Sequence, residues 1–543
     1  MQQPSTVTVE EPTSRHAARR MQCRFYQTTR VDFARGLQLS HARGVELHPL
    51  SEKPTAVVAP QTLGKAPRVD VIPWSDILGA AVLTPDQLAH VPGYEPDVNN
   101  DKGQEFAIFG CIPKTHVLKR SAPAFFAFGS KLDALSCFGN AARESEVDDV
   151  VRATSVTATS SKPIQSSSSR NAPCERMLVQ WVFRYVGDDA DAVVLHLVHM
   201  IQRLADPRIA HSIKPLDDNE LPALQRRHQY HAAEIVANVP LDKYDCIVSV
   251  GGDGLLSEIV QGIMKRSDWK QAIQQPLGVI PGGSGNGLSA SLLHRSGERL
   301  DALNAAYALA KGSASELDLA TVMNGKQDVV YSFLSLEWAF IADVDIESER
   351  YRMFGGMRFT ISSVAKLLAR HKRYSGTLRY LSSDFDVPGA PPKYHERLSH
   401  QEEGASRPAL ECLPVVDEKD SSPSQWREVS GQFHMFWGMN VSHASSDGHI
   451  APNAPIDDGY YYLMLMDGSF SRMSLTKMLL GLDDGSHIGQ KQVQLIRTRA
   501  FTLHVDNPAD RLCVDGELFD GPEVKVEVHR GLGRVLCLPP LSR

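Results

Sequence analysis

The chain has 543 residues, too many for a single hydrophobic core, so we expect two to four domains. Hydrophobic residues make up 42% and charged residues 22%, as in soluble globular proteins, and the net charge of -7 argues against a general nucleic-acid binder. The eight cysteines are scattered without a CxxC pair, which argues against a zinc site or a disulfide framework and favours a reducing compartment.

The sequence shows neither a membrane span nor a secretory signal. No apolar run approaches the ~20 residues that a spanning helix needs. The N-terminal residues lack the apolar segment of a signal peptide. We therefore expect any lipid to be met from the water side.

The first part of the chain is predicted to be β-rich. Residues 1–68 show little pattern and are expected to be loosely ordered. Strand-like runs then follow, namely VDVIPW, EFAIFGCI, AFFAF and MLVQWVFRYV, and DADAVVLHLVHMIQRLAD has apolar residues at helical spacing. A Ser/Thr-rich insert within 140–174 is expected to be disordered. This pattern over 69–206 fits a pleckstrin-homology-like module and an undefined β-rich extension equally well.

A strand, a glycine turn and a helix follow one another from Cys246. The run CIVSV is predicted to be a buried strand, and it leads through GGDG into LLSEIVQGIMKR, which is apolar along one helical stripe. This arrangement suits an anion, because free N–H groups and the helix dipole point at the turn and glycines let phosphates approach. Asp253 in the turn either caps the helix or serves as a proton acceptor or Mg²⁺ ligand, and the motif alone leaves these interpretations close to even.

A second phosphate-binding turn is predicted about twenty residues further on. The strand LGVI leads into Pro-Gly-Gly-Ser-Gly-Asn-Gly at 281–287 and another helix, LSASLLH. The spacing GxGxxG with an acid about 20 residues later is absent, so a dinucleotide-binding Rossmann site is disfavoured.

These two turns carry a family resemblance. The segment from VGGDGLLSEIV to PGGSGNGLSASL closely resembles the diacylglycerol-kinase-like catalytic domain, and the Asp-Trp pair at 268–269 favours its sphingosine kinase branch. The resemblance implies that Asp253 is the catalytic base and that Glu258 lies beside the nucleotide. It also implies a nucleotide cradle, with two of its glycines (Gly252 and Gly254) shared with the substrate side. The cradle comprises Gly251, Gly252, Gly254, Gly283, Ser284 and Gly285.

An acceptor-binding segment is predicted at 331–360. FLSLEWAFIADV is expected to form a near-continuous buried strand that ends in several acids, with arginines following. A solvated loop with surface ion pairs is the ordinary interpretation, but acids at a buried strand end favour a cleft. FIADVDIESERYR and MRF resemble the sphingosine kinases. The resemblance implies that Asp345 pairs with the 2-ammonium and hydroxyl groups of the acceptor and that Arg352 and Arg358 hold ATP phosphates.

The remainder is predicted to be a β-rich lobe. Residues 361–373 suggest a basic amphipathic helix, which either docks on an anionic bilayer or packs on this lobe. Residues 384–430 are expected to be a disordered insert, and His443 and His449 are interpreted as structural. The wording VDGE near the end either forms a plain hairpin turn or, by its resemblance to the family's closing motif, places Asp515, Gly516 and Glu517 on the nucleotide side.

One family feature is missing from the sequence. Members begin the catalytic domain with a strand and a loop of the type NPxxGxGxA, which contacts ATP. Neither Asn-Pro nor a glycine cluster occurs between Asp206 and His228, and Arg226 stands where the family has a nucleotide-contacting Thr. Loss of a central strand is expected to cost more than the ~5–15 kcal/mol that stabilises a domain.

Taken together, the sequence predicts an α/β nucleotide-binding lobe at 207–318 and a β-sandwich lipid-binding lobe at 319–543. The predicted function is ATP- and Mg²⁺-dependent phosphorylation of the primary hydroxyl of sphingosine or a related sphingoid base. The alternatives are a catalytically impaired lipid-binding or adaptor paralogue or a truncated gene model, or a kinase of diacylglycerol or ceramide. We expect a cytoplasmic protein that meets membranes peripherally and binds no nucleic acid, and a homodimer is left open.

Overall fold

The computed structural model describes the chain in two compact units, Met1–Leu224 and Gln225–Arg543. The description leaves out residues 1–6, 10–18, 28–29, 41–43, 50–69, 85–86, 88–102, 114–172, 187–189, 206–227, 349–371, 386–389, 398–406, 414–424, 468–471 and 542–543. No helix among the described residues combines the length and the apolar character that crossing a bilayer requires.

The first unit contains one sheet of eight described strands and one long helix. The strands are β1 (Val7–Val9), β2 (Arg19–Gln27), β3 (Arg30–Ser40), β4 (Gly44–Pro49), β5 (Asp70–Ile72), β6 (Ile77–Val82), β7 (Gly103–Pro113) and β8 (Arg176–Val186), and the helix is α1 (Ala190–Ala205). Their order in the sheet is β5-β4-β3-β1-β2-β8-β7-β6, and the pairings are antiparallel except β1 with β3. Helix α1 packs on β6, β7 and β8.

The predicted helix is confirmed, and its apolar spacing explains its position. Val194, Leu197, Val198 and Ile201 fall on one helical stripe and are buried. Strands β1 to β4 lie in the stretch 1–68 that we expected to be loosely ordered. The alternation of apolar and polar residues in VDFARGLQL suits a strand with one covered face. The run AFFAF and nearly all of the insert 140–174 lie outside the described residues, and the pleckstrin-homology-like fold stays a prediction.

The second unit is built on a sheet of thirteen described strands. These are β9 (Ile247–Gly251), β10 (Leu277–Pro281), β11 (Ser313–Asn324), β12 (Val329–Ser332), β13 (Ser335–Ala339), β14 (Tyr374–Leu381), β15 (Trp426–Met439), β16 (Tyr461–Asp467), β17 (Val493–Thr498), β18 (Ala500–Val505), β19 (Leu512–Val514), β20 (Glu517–Phe519) and β21 (Glu523–Cys537). The helices are α2 (His231–Asn238), α3 (Asp253–Met264), α4 (Trp269–Ala272), α5 (Gly287–Arg295), α6 (Ala302–Lys311), α7 (Phe340–Ser348), α8 (Tyr394–Arg397) and α9 (Arg472–Leu480).

The first part of this unit is the expected α/β lobe. β9 and β10 are parallel, with Gly251 opposite Pro281, and β10 is parallel to the end of β21. Helix α3 connects β9 to β10 and buries Leu256, Ile259 and Ile263 in a core shared with β10 and α5. A strand–helix–strand connection of this kind places the turns that follow β9 and β10 at the same edge of the sheet.

The remaining strands form the expected β-rich lobe. They pair antiparallel in the order β12-β11-β21-β18-β14-β15-β13-β19-β20, with β16 and β17 continuing from β15. Their core is dominated by large buried side chains such as Trp338, Phe436 and Phe501. The boundary predicted at 318–319 falls inside β11, so the two lobes share a strand rather than a linker.

Strand β9 is less buried than its sequence indicated. Among the described residues it pairs only with β10. Val248 and Val250, two residues apart and therefore on one face, are 41% and 65% exposed. The apolar sequence of CIVSV correctly predicts a strand. It also predicts a strand buried on both faces, as in a parallel sheet, and the described residues do not cover this face of β9.

The acceptor segment departs from the prediction. The strand β13 ends at Ala339, and Asp343, Asp345 and Glu347 lie on helix α7 instead of on a strand end or loop. Ala339 has φ = 68°, in the left-handed region, which breaks the extended backbone and starts the helix. Nothing in FLSLEWAFIADV indicates this break, because alanine has no preference for positive φ.

Ala339 provides a test of this backbone strain. A left-handed conformation costs an L-residue roughly 1–2 kcal/mol, which glycine does not incur. The change Ala339→Gly should therefore lower the free energy of unfolding by about 1–2 kcal/mol less than Ala320→Gly, a change at a buried alanine of β11 whose φ is not positive. Urea unfolding of both variants measures the difference, and equal losses would contradict the strained turn.

Candidate active site

The two glycine turns touch each other through their backbones. The Gly282 N–H donates to the Gly251 carbonyl at 3.0 Å. A β-carbon placed on Gly283 would lie 2.4 Å from the Gly252 Cα atom, and one placed on Gly252 would lie 3.1 Å from the Gly283 Cα atom. Side chains are excluded where the turns meet, so both sets of backbone amides lie at one edge of the sheet.

Asn286 holds the second turn in shape. Its backbone is left-handed, with φ = 60°. Its Oδ1 accepts from the Gly283 N–H at 2.9 Å, and its Nδ2 donates to the Gly283 carbonyl at 2.7 Å. The sequence analysis left this residue out of the site, although asparagine in a glycine-rich turn is a recognisable signal for a left-handed position.

Asp253 spans the two turns. It is the first residue of α3, yet its carboxylate accepts from the first N–H groups of α5, with Oδ2 2.7 Å from Gly287 N and Oδ1 3.2 Å from Leu288 N. The alternative that Asp253 caps its own helix is therefore wrong. Burial raises the pKa of the Asp253 carboxyl group, and these backbone hydrogen bonds oppose that shift. A raised pKa favours proton acceptance.

Helix α3 starts with an uncapped first turn. Gly252 occupies the N-cap position, and no side chain caps the helix there. The N–H groups of this turn therefore point towards the glycine turns with their share of the helix dipole. Such a helix start fits a phosphate group.

The turn between β19 and β20 is a hairpin turn with a buried anchor. Asp515 and Gly516 have φ of 50° and 82°, as in a type I′ turn. The Asp515 carboxylate accepts from the Ser332 hydroxyl at 2.7 Å and from the N–H groups of Phe333, Leu334 and Ser335 at 3.0 to 3.2 Å. Because these bonds occupy the carboxylate, the contribution of this turn to a ligand site rests with Gly516 and Glu517.

This hairpin turn lies between the nucleotide turns and the acceptor acids. A β-carbon placed on Gly254 would be 3.9 Å from Oε1 of Glu517, and one placed on Gly516 would be 3.8 Å from Oδ2 of Asp345. The structure therefore brings Asp345 and the GGDG turn to neighbouring positions around residues 515–517, although about ninety residues separate them in sequence.

Further acidic groups surround Asp345. The Tyr374 hydroxyl donates to Oδ2 of Asp343 at 2.8 Å. Burial raises the pKa of Glu337 well above its usual value, and the negative charge of Asp345 adds to the shift. The neutral form of Glu337 is thus favoured beside Asp345, which the apolar run around it did not indicate.

Some of the remaining predicted site residues are described by the structure, and others are not. Glu258 is buried, and its Oε2 accepts from the Ala232 N–H at 3.3 Å, at the start of α2. Gly285 accepts from the Ser446 N–H at 3.1 Å, and Ser284 lies in the same turn. Arg352 and Arg358, like Arg226 and most of the predicted basic helix at 361–373, lie outside the described residues.

Asp515 gives a pH-dependent stability prediction. Burial raises its pKa from 3.8 to about 6, so the folded state binds more protons than the unfolded state between these values. Its contribution to the free energy of unfolding should fall by about 3 kcal/mol as the pH rises through this window. Asparagine does not titrate, so the free energy of unfolding that Asp515→Asn loses relative to the native chain should be larger at about pH 4 than at about pH 7. Urea unfolding at both pH values checks this, and an unchanged gap would count against the raised pKa.

Comparison with known proteins identifies the two lobes. Residues 205–322 match the family described as the diacylglycerol kinase catalytic domain. Residues 422–537 match the family described as the YegS C-terminal NAD kinase beta sandwich-like domain. The predicted fold class of the two lobes is thereby confirmed. A putative diacylglycerol kinase structure from Bacillus anthracis has 16% sequence identity and a TM-score of 0.40, covering 58% of this chain and 85% of its own.

Curated relatives give the branch of the family. Sphingosine kinase 1 of Arabidopsis thaliana is 33% identical over 317 residues, and the match covers 56% of this chain and 63% of the relative. The chain thus spans less than two thirds of that relative's length. Human sphingosine kinase 1 is 32% identical over 355 residues, covering 63% of this chain and 86% of the relative. With most of the human enzyme matched, the predicted family is confirmed, and the chain belongs to the sphingosine kinase family.

Proposed function

We propose that this protein transfers the γ-phosphoryl group of ATP to the primary hydroxyl of sphingosine or a related sphingoid base. The supporting observation is the arrangement of two segments around one hairpin turn, with the GGDG turn next to Glu517 and Asp345 next to Gly516. The GGDG turn, whose backbone suits an anion, and the Asp345 carboxylate, which can pair with a cation, are therefore close enough to bind ATP and a sphingoid base side by side. Phosphoryl transfer depends chiefly on such positioning and charge stabilisation.

The two glycine turns would bind the phosphates of ATP. The close approach of Gly252 and Gly283 leaves a cradle without side chains, and the uncapped start of α3 faces it. Bound ATP and Mg²⁺ would supply the phosphoryl group and neutralise its charge. Carboxylate oxygens are ligands that Mg²⁺ prefers, and Asp253 and Glu517 are the acids beside the turns. Arg352 and Arg358 remain predicted phosphate ligands.

Asp345 and Asp253 have separate proposed roles toward the acceptor lipid. Asp345 would pair with the 2-ammonium group and so orient the primary hydroxyl. Asp253 would take the hydroxyl proton as the oxygen bonds to phosphorus and the bond from phosphorus to the bridging oxygen breaks. The raised pKa of the partly buried Asp253 carboxyl group suits this task. A diacylglycerol or ceramide head carries no ammonium group, so Asp345 favours the sphingoid base over these alternative lipids.

The impaired paralogue is the second candidate function. The NPxxGxG loop is missing from the sequence, and β9 exposes Val248 and Val250 where a covered parallel sheet would bury them. A lipid-binding protein without phosphotransfer would retain Asp345 and the β-rich lobe. Activity measurements on the purified chain decide between the two functions.

We also propose the setting in which this activity operates. The substrate is a membrane lipid, so the protein would work as a cytoplasmic enzyme in peripheral contact with a bilayer. The predicted basic helix at 361–373 is the segment suited to that contact. A homodimer remains an open part of this proposal.

The base assignment is tested with sphingosine and labelled ATP. Asp253→Asn removes the proton acceptor with little change in size, and it should reduce kcat by roughly 10²- to 10⁴-fold. Unchanged phosphate transfer in this variant would sink the base assignment. A native chain that binds sphingosine but transfers no phosphate would support the impaired paralogue.

The acceptor assignment is tested by removing one charge from α7. Asp345→Asn should raise KM for sphingosine about tenfold or more, equivalent to about 1.4 kcal/mol, because the ammonium group loses its partner. Glu347→Gln is the matched control, since it removes the same charge from the same helix at a residue that pairs with Arg511 at 3.9 Å. An equal effect of both changes would point to the general field of the helix, and transfer to diacylglycerol alone would overturn the substrate.

The glycine contact makes a prediction for nucleotide binding. Gly283→Ala would push a β-carbon to 2.4 Å from the Gly252 backbone, so the two turns must separate. We expect at least a tenfold loss of ATP affinity, measured by calorimetry. Gly489→Ala is the control, because a β-carbon there meets nothing within 4 Å. Equal affinities in the two variants would show that the contact does not shape the cradle.

A further inference from the structure

Three histidines from two distant parts of the chain converge near the second glycine turn. His294 lies in the last turn of α5, and His443 and His449 lie in the loop that follows β15. One ring nitrogen from each lies within 4.8 Å of the others. The ring centroids are 4.1 to 4.8 Å apart. The sequence analysis interpreted His443 and His449 as structural because no nearby acid had ligand spacing, and the fold supplies His294 as the third group.

Backbone hydrogen bonds hold this cluster in place. The Ala444 N–H donates to the Gly448 carbonyl at 2.9 Å, which closes the loop and brings His443 beside His449. The His443 N–H donates to Oγ of Ser291 at 3.0 Å. Ser291 is three residues before His294 and lies on the same side of α5. These contacts hold the backbone of the loop against α5 without a ligand.

One contact anchors the ring of His443. Its Nδ1 is 2.8 Å from the Ser442 hydroxyl, as in the outer contacts that orient metal-binding histidines. Imidazole binds a metal through the lone pair of one ring nitrogen, and each of the three residues offers one such atom to a shared ion.

We propose that His294, His443 and His449 bind one Zn²⁺ ion. Three imidazoles with an open fourth position for water form an established type of zinc site. Zinc–nitrogen bonds of about 2.0 Å in a tetrahedron place the nitrogens roughly 3.3 Å apart. The present nitrogens need to close by up to about 1.5 Å, which requires the exposed His294 side chain to rotate and the near-parallel rings of His443 and His449 to turn towards the ion. This site revises the expectation that the chain lacks a zinc site.

The ion would join α5 to a loop that already contacts the phosphate turn. The Ser446 N–H donates to the Gly285 carbonyl at 3.1 Å, and Ser445 forms an isolated β-bridge with Asn286. Zinc would therefore fix the PGGSGNG turn from the opposite end of α5, about 10 Å from its start. This role is separate from the acids and glycines assigned to phosphoryl transfer.

The test is zinc binding by the purified full chain. After treatment with a chelator, Zn²⁺ is titrated against a chromophoric competitor, and Co²⁺ absorption reports tetrahedral nitrogen ligands. We expect one ion that binds at least tenfold more weakly in His294→Gln and in His449→Gln. His504→Gln, at an exposed position on β18, should bind as the native chain does. His228→Gln tests the separate group of His228, His231 and Glu234, and should also have no effect.

Hydrogen exchange provides a second readout that does not involve activity. Zn²⁺ should slow amide exchange in 281–295 and 443–449 of the native chain, and it should leave both segments unchanged in His294→Gln. The proposal is overturned by a native chain that fails to bind Zn²⁺ at micromolar concentration, or by binding that survives both His294→Gln and His449→Gln. Binding lost only in His228→Gln would likewise overturn it and move the site to the other group.

Discussion

The backbone contact between Gly252 and Gly283 is the constraint on which the proposed active site depends. The two glycines follow neighbouring parallel strands whose register sets Gly251 opposite Pro281, so their turns must meet at one edge of the sheet. A β-carbon at the contact would come within 2.4 Å of backbone, which relaxation of a side chain cannot relieve. The contact lets Asp253, at the start of α3, reach the first N–H groups of α5. One acid is then shared by two helix starts, and both face the same space.

A second constraint ties the β-rich lobe to these turns. The buried Asp515 carboxylate would be costly to ionise without partners, and three backbone N–H groups and the Ser332 hydroxyl surround it. They belong to the connection between β12 and β13, and β13 leads directly into α7, which carries Asp345. The hairpin turn and the acceptor acid therefore rest on the same short stretch of backbone. Asp515 thereby holds Gly516 and Glu517 between Asp345 and the GGDG turn.

The sequence predicts those features of the site that are local. The apolar stripe of α3, the strands on either side of it and both glycine turns follow from spacing within about forty residues. The side-chain partners of Asp253 and Asp515 could not be predicted, because they lie in other segments and depend on strand register. The left-handed turn at Ala339 could not be predicted, because alanine does not favour positive φ and the surrounding structure imposes it. The turn position of Asn286 could have been predicted, because asparagine in a glycine-rich turn favours a left-handed backbone. The roles of Arg352 and Arg358 stay predictions.

The missing first loop bears on stability and on activity in different ways. Every contact described for the glycine turns runs to the other turn, to α5, to the loop after β15 or to the hairpin turn, and these segments all lie after residue 246. Among the described residues, β9 pairs only with β10, and two valines on one of its faces are exposed. Burying a valine fully is worth about 1.5–3 kcal/mol, so the uncovered face amounts to a few kcal/mol, less than the ~5–15 kcal/mol that holds a domain together. The described contacts thus hold the glycine turns together without an NPxxGxG loop, and the ATP contacts that the family resemblance assigns to that loop are the ones that the remaining turns would have to replace.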